Sequence, residues 1–250
     1  MAMFRSNNPA LNRVSKLERT EENAATYKGI TFKSLFFVAL TIASAVLSFW
    51  LILQTESLGL LLFVVIGAPI LALICSLIAS FAPRTAHITG SLYAIFMGAS
   101  VGLISGIFDA AYSGIIFAAL ISTVSVFGIM TALYASGVVR VGPFFRRFMI
   151  SALLGIILAN LVILLLGLVI PGLWDLFYGN GILSIGISAI MVVFASLFIL
   201  LDLDRMTQIV EAGVDKKYEW SAAFGLLVTL IWLYMEFLRL FAKIAGRIRR

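Results

Sequence analysis

Three carboxylates stand where an apolar chain rarely puts them. Asp202 and Asp204 follow directly on the apolar run from Ile182 to Leu201, and Glu236 sits deep in the run from Trp220 to Ala245. An ionisable group inside hydrocarbon is costly and is a functional candidate by default. If the segment carrying Asp202 continues as helix toward Gly213, Asp202 lies ~16 Å from that end, at a rise of about 1.5 Å per residue. Glu236 lies ~25 Å from Glu219 along the next segment, on the same rise. Tilt would bring the two to a similar depth, although the sequence does not force them together. Two close carboxylates in a low dielectric do not ionise together easily, so one would hold a proton near neutral pH. Such a pair would be a proton-sensitive latch. Ionised, it would offer hard oxygen ligands to a cation such as calcium.

Plainer readings stay open beside this one. Asp202 and Asp204 fit a helix end entering water. Glu236 fits an ion pair with Arg239, one turn on at i+3. Arg239 and Lys243 fit side chains that snorkel to the membrane surface. The mixed-charge stretch from Asp204 to Glu219 fits a solvated linker. His87, beside Arg84 at the start of a segment, reads first as a polar cap and only then as a proton relay.

The elements that must position these groups follow from composition. Hydrophobic residues make up 62% of the 250 and charged residues 12%, against about 45–50% and 25% in soluble domains. Mean hydropathy is +1.11. That is too little charge for a soluble surface, and it points to an all-α integral membrane protein of about seven transmembrane helices. The net charge of +6 does not imply a nucleic-acid partner. The basic residues sit in short connections and tails, which suits orientation in a bilayer. The single cysteine, Cys75, lies in an apolar run and excludes both a disulfide framework and a CxxC metal site. The first 31 residues carry six charges between Lys16 and Lys28 and no apolar stretch before Ile30, unlike a signal peptide. The expected organisation is a cytosolic polar tail over residues 1–31, a seven-helix domain over 32–246 and a basic C-terminal tail over 247–250.

A span needs about 20 mostly apolar residues. Seven segments qualify: Ser34 to Leu53, Leu58 to Phe81, Ile88 to Phe108, Ser113 to Val139, Phe148 to Ile170, Ile182 to Leu201, and Trp220 to Ala245. Pro83, Gly142–Pro143, Pro171–Gly172 and Gly179-Asn180-Gly181 break the chain between them. Charge sets the orientation. The first, third and fifth connections hold Glu56, Asp109 and Asp175 and no Lys or Arg. The second, fourth and sixth hold Arg84, then Arg140, Arg146 and Arg147, then Arg205, Lys216 and Lys217. Basic loops stay cytosolic, so the N-terminus is expected inside. A seventh full crossing would leave Lys243, Arg247, Arg249 and Arg250 outside, against that rule. The alternative is a last segment that re-enters and turns back, which is tolerated only when buried in protein. The reading leans to seven helices.

Gly98, Gly102 and Gly106 recur every four residues on one helix face, which lets helices approach closely. This is a packing signal before it is a pore lining. Enzyme templates are missing. Gly102-Leu103-Ile104-Ser105-Gly106 has the wrong spacing for a GxSG turn, the Gly-x-Gly-Asp segment of intramembrane aspartyl proteases is absent, and so are HExxH, Walker A and Rossmann fingerprints. No enzyme activity and no resident cofactor are expected.

The C-terminal third resembles a known family. Leu200-Leu201-Asp202-Leu203-Asp204, a short mixed-charge connection, and then Leu233-Tyr234-Met235-Glu236-Phe237-Leu238-Arg239-Leu240-Phe241 look like the end of the Bax-inhibitor family, the transmembrane Bax-inhibitor-motif or YccA-like membrane proteins. Upstream, Tyr93-Ala94-Ile95-Phe96-Met97-Gly98 is similar to the family's third helix, and Thr131-Ala132-Leu133-Tyr134-Ala135 to its fourth. The resemblance implies a bundle with the C-terminal helix at its centre. It also implies a pH-sensitive calcium leak gated by two acids on the last two helices. Asp202 matches the first acid and Glu236 the second. Arg84 matches, by its place before the third helix, a basic residue that pairs with the acids in the closed state. The chain departs from the pattern in having Glu as the second acid and Asp204 as an extra carboxylate.

Two functions are therefore carried forward. One is a calcium or cation leak, with Asp202, Glu236 and Arg84 as gate and ion site and Asp204 and His87 as secondary groups; its partners are the bilayer, calcium and protons. The other is a non-transporting regulator that binds a membrane protease, with the two tails as contact surfaces. The lack of cysteine pairs, retention signals and long loops suits a bacterial inner membrane.

Overall fold

The computed structural model describes residues 24–55 and 57–248. Glu56, Arg249, Arg250 and most of the polar tail expected over residues 1–31 lie outside the described residues. Among the described residues the chain is helical, without an extended strand. Seven helices are long and apolar enough to cross a membrane, so this is an integral membrane protein. They are α1 (Tyr27–Thr55), α2 (Leu58–Phe81), α3 (Ala86–Ala111), α4 (Ile115–Ala135), α5 (Pro143–Gly167), α7 (Ile182–Glu211) and α8 (Glu219–Ile248), with a short α6 (Leu173–Tyr178) before α7.

The breakers act where the sequence places them. Pro143 opens α5 at its first turn, where its missing N–H costs nothing. Gly172 takes φ +83 just ahead of α6, a left-handed conformation that a side chain would strain. α8 is the inner helix. Its most apolar window is 78% buried, whereas the other six spans run from 6% to 39%. It is also one unbroken helix of 30 residues, about 45 Å at the helical rise, which leaves no turn for a re-entrant path.

Two boundaries differ from expectation. α1 begins at Tyr27, not near Ser34, so the end of the expected tail is helix. The residues before it are fastened down: Ala24 bridges Asp215, and the Ala25 N–H donates to the Val214 carbonyl at 2.7 Å. Ile30 is buried, which favours helix over solvated coil at that point. The mixed-charge stretch after Asp204 is likewise no linker in its first half, because α7 continues to Glu211 before turning at Gly213.

The chain divides into two compact units, and the division falls inside α3, α7 and α8. The first unit holds the described residues up to Ile104 together with Asp202–Val228. Here α3 lies tightly on α1. Ser44 Oγ donates to the Ile95 carbonyl at 2.6 Å and Ser48 Oγ to the Ala99 carbonyl at 2.9 Å. Gly98 and Gly102 face the backbone of Thr41 and Ala45. In α2, Phe63–Gly67 widens into a π-turn, and the Val64 carbonyl accepts a hydrogen bond from Ser100 of α3 at 2.8 Å. An aromatic group of Phe37, Tyr93, Trp220 and Phe224 fills the space beside them.

The second unit holds Ser105–Leu201 and the described residues from Thr229 on. In it α7 and α8 run antiparallel. Phe194 and Phe198 flank Trp232, and Ser184 and Ser188, earlier in α7, meet Lys243, later in α8. The Ser105 and Tyr234 hydroxyls, 2.7 Å apart, join α3 to α8.

Candidate functional site

Each acid singled out in the sequence has a definite setting. In the second unit, Glu236 is 3% exposed in the middle of α8. Its Oε1 accepts from Trp232 Nε1 at 2.9 Å and pairs with Arg239 Nη2 at 3.2 Å, one turn on. Both partners come from its own helix. Trp232 is held in turn by the Phe194 and Phe198 rings of α7. The ion pair open as the plain reading is therefore present, and it gives the buried carboxylate a counter-charge.

In the first unit, Asp202 is half-buried on α7. Its Oδ1 faces Gly225 of α8, 3.3 Å from where a β-carbon there would sit. A glycine at that place leaves room for the carboxylate against the helix. Asp204 accepts from Gln208 Nε2 at 2.6 Å, one turn along α7. Arg205 donates to Ser221 Oγ at 3.1 Å and so ties α7 to the start of α8. Arg84 is exposed in the tight turn Pro83–Thr85, which packs beside the turn Lys216–Tyr218. There it stands near Asp215. The Lys217 backbone N–H, 2.9 Å from Asp215 Oδ1, and then the Lys217 ammonium hold the Asp215 carboxyl below its ordinary range, with the Arg84 charge adding to the effect. His87 is exposed at the start of α3, with its ring 6.4 Å from that of Trp220.

Two charged groups escaped the sequence reading. Glu219, read as part of a solvated linker, has no exposed surface. Its carboxylate takes Lys33 Nζ at 2.6 Å, the Thr26 N–H at 2.8 Å and the Thr26 hydroxyl at 3.3 Å. Lys33 also donates to the Lys216 carbonyl and lies over the Trp220 ring, 5.0 Å from its centroid. Gly29 makes room for the carboxylate, since any side chain there would overlap it. The second group is Lys243. It does not snorkel but turns inward, 9% exposed, onto the Ser184 carbonyl at 3.3 Å and Ser188 Oγ at 2.8 Å. No local signal announces either contact. Lys33 and Glu219 are separated by 186 residues, and Ser188 and Lys243 by 55.

Among the described residues, no three of His, Cys, Asp and Glu gather into a set that could hold a metal ion.

Comparison with known proteins agrees with the motif at the end of the chain. The family described as Bax inhibitor 1 like matches residues 8–246. No curated protein matches the chain. With residues 8–246 matched and seven membrane-length helices among the described residues, this chain belongs to the Bax inhibitor 1 like family of membrane proteins.

Proposed function

We propose that this protein is a cation leak of its membrane, calcium foremost, whose rate depends on pH through Asp202 and Glu236. The observation that carries the proposal is Glu236: a carboxylate kept inside the most buried span, on a partner that protonation would release. Intramembrane acids of this kind mark ion pathways and proton relays. Protonating Glu236 would end its charge pairing with Arg239, whose guanidinium also donates to the Met235 carbonyl. Such a change of charge biases a helix between two packings. Asp202, beside Gly225, is the second titrating group, and it belongs to the helix preceding α8. No covalent chemistry and no resident cofactor enter this reading. Basic even-numbered connections support a cytosolic N-terminus, and a bacterial inner membrane is the proposed location.

The test is calcium entry into dye-loaded liposomes that hold the purified protein, followed from acid to neutral pH. Wild-type flux is expected to change with pH, and Asp202→Asn with Glu236→Gln is expected to flatten that response. An unchanged pH response in the double variant would remove both acids from the gate. No flux at any pH would overturn the leak itself and leave a protein that acts by binding a membrane partner.

A further inference from the structure

A lysine near the end of a transmembrane helix ordinarily sends its ammonium out to the headgroups. Lys243 lies about 36 Å along α8 from Glu219, against an apolar layer of about 30 Å, so the way out is short. It nevertheless points inward, with nine-tenths of its surface hidden. The groups that receive it are oxygens of α7. The Ser184 carbonyl is 3.3 Å away and Ser188 Oγ 2.8 Å away, on two residues that are themselves 0% and 4% exposed. The Ser184 hydroxyl is engaged elsewhere, donating to the Phe177 carbonyl at 2.7 Å, which fixes the start of α7. Neither acceptor carries a charge. The carboxylate two turns earlier on the same helix, Glu236, is paired with Arg239. Neutral hard oxygens converging on a buried positive charge are the ligand type that suits a cation in transit.

We propose that Lys243 is a tethered cation: its ammonium fills an oxygen-lined cation site between the first turns of α7 and the last turns of α8, and so denies that site to mobile cations. This rests on the reading that cations pass through the protein. It adds a position for them, the Ser184 carbonyl and Ser188 hydroxyl, and a residue that sets how fast they pass. Buried charge of one sign at such a place raises the barrier for ions of the same sign. The tether is a covalent four-carbon stem, so the occupant cannot leave.

Lys243→Ala empties the site while keeping a good helix former, and Lys243→Arg keeps the charge. In liposomes, Lys243→Ala should raise calcium flux several-fold at every pH, and Lys243→Arg should not. Methylammonium, the probe that replaces the lost head group, should return the Lys243→Ala flux toward the wild-type rate. A second readout does not need flux. In detergent, methylammonium should raise the unfolding midpoint of Lys243→Ala more than that of wild type, and Ser188→Ala introduced into the same variant should abolish the difference. If wild type is silent while Lys243→Ala conducts, the tethered cation stands although the acid gate does not. If wild type conducts with a pH response and Lys243→Ala conducts no faster, the tethered cation is overturned while the leak survives. A folded Lys243→Ala protein that neither gains flux nor answers to methylammonium would reduce Lys243 to a packing contact.

Discussion

At the scale of the residue, a short, buried charge contact lies away from the acids that first attract notice. Glu219 has no exposed surface, and its carboxylate meets Lys33 and accepts from Thr26. Taking one partner from a buried pair strands the other, a loss of about 3–5 kcal/mol, while replacing both with apolar groups is far less harmful. Lys33→Met should therefore destabilise the protein by roughly that amount, and Lys33→Met combined with Glu219→Leu should recover much of the loss. Chemical unfolding in detergent measures both. Equal stability of the single and double variants would mean that Glu219 finds water or a proton and that the pair is incidental. This contact also marks the limit of what the sequence discloses. Glu236 and Arg239 are three residues apart on one helix, so periodicity alone offers their pairing, and the structure contains it. Lys33 and Glu219 meet only when α1 and α8 pack, and the charges around Glu219 look like those of any solvated turn. Arg84 lies in a connection and His87 at a helix start, as their sequence surroundings indicate, whereas Asp202 and Asp204 lie within α7, which runs on past the apolar segment that ends at Leu201. Their neighbours, Gly225, Gln208, Asp215 and Trp220, come from the fold or from the far side of a helical turn.

At the scale of the element, the glycine stripe is the feature that sequence periodicity describes best. Gly98 and Gly102 lie one turn apart on α3, and both face backbone of α1. The serines of α1 complete the contact by donating to α3 carbonyls. Small residues permit this approach, and within a bilayer such packing replaces the hydrophobic drive that associates helices in water. Gly102→Val would push its side chain into the Ala45 backbone, which cannot swing aside as a side chain can. The expected loss is at least about 1–3 kcal/mol, the usual range for overpacking, and a lowered unfolding midpoint would report it. Gly128→Val, at a glycine with open space around it, is the control that should change little. A midpoint unmoved by Gly102→Val would mean that α1 and α3 separate easily and that the stripe serves something other than packing. The π-turn of α2 was not legible in the same way. Phe63-Val64-Val65-Ile66-Gly67 is an unbroken apolar string, and the hydroxyl that answers Val64 belongs to Ser100 on another helix. The start of α1 was misplaced for a related reason. Polar and charged residues such as Thr26 and Lys28 suggest tail, yet Thr26 turns its donors to Glu219, and helix follows at Tyr27.

At the scale of the whole molecule, the number of crossings decides where the two ends emerge. Seven spans put them on opposite sides, so a cytosolic N-terminus would leave Arg247, Arg249 and Arg250 outside. The distribution of basic residues alone argues against that arrangement. Two features answer the objection. α8 is continuous through 30 residues, and in the second unit its late residues meet the early residues of α7, as an antiparallel neighbour that crosses the same layer must. The charge that opposes crossing is also smaller than the sequence count suggests. Lys243 is inside the protein and Arg239 is paired with Glu236. Orientation rules count basic residues in loops near the ends of spans, and earlier helices usually dominate the outcome. A reporter enzyme active only outside the cytosol should therefore work when fused after Arg250 and fail when placed in the connection holding Arg140, Arg146 and Arg147. Replacing Arg247, Arg249 and Arg250 with Gln should leave both results unchanged, because six preceding spans have already fixed the direction of the seventh. A silent reporter after Arg250, with the protein folded and inserted, would place the C-terminus inside. It would then have to be explained how a continuous helix of 30 residues, about 45 Å long, returns to the side from which it started.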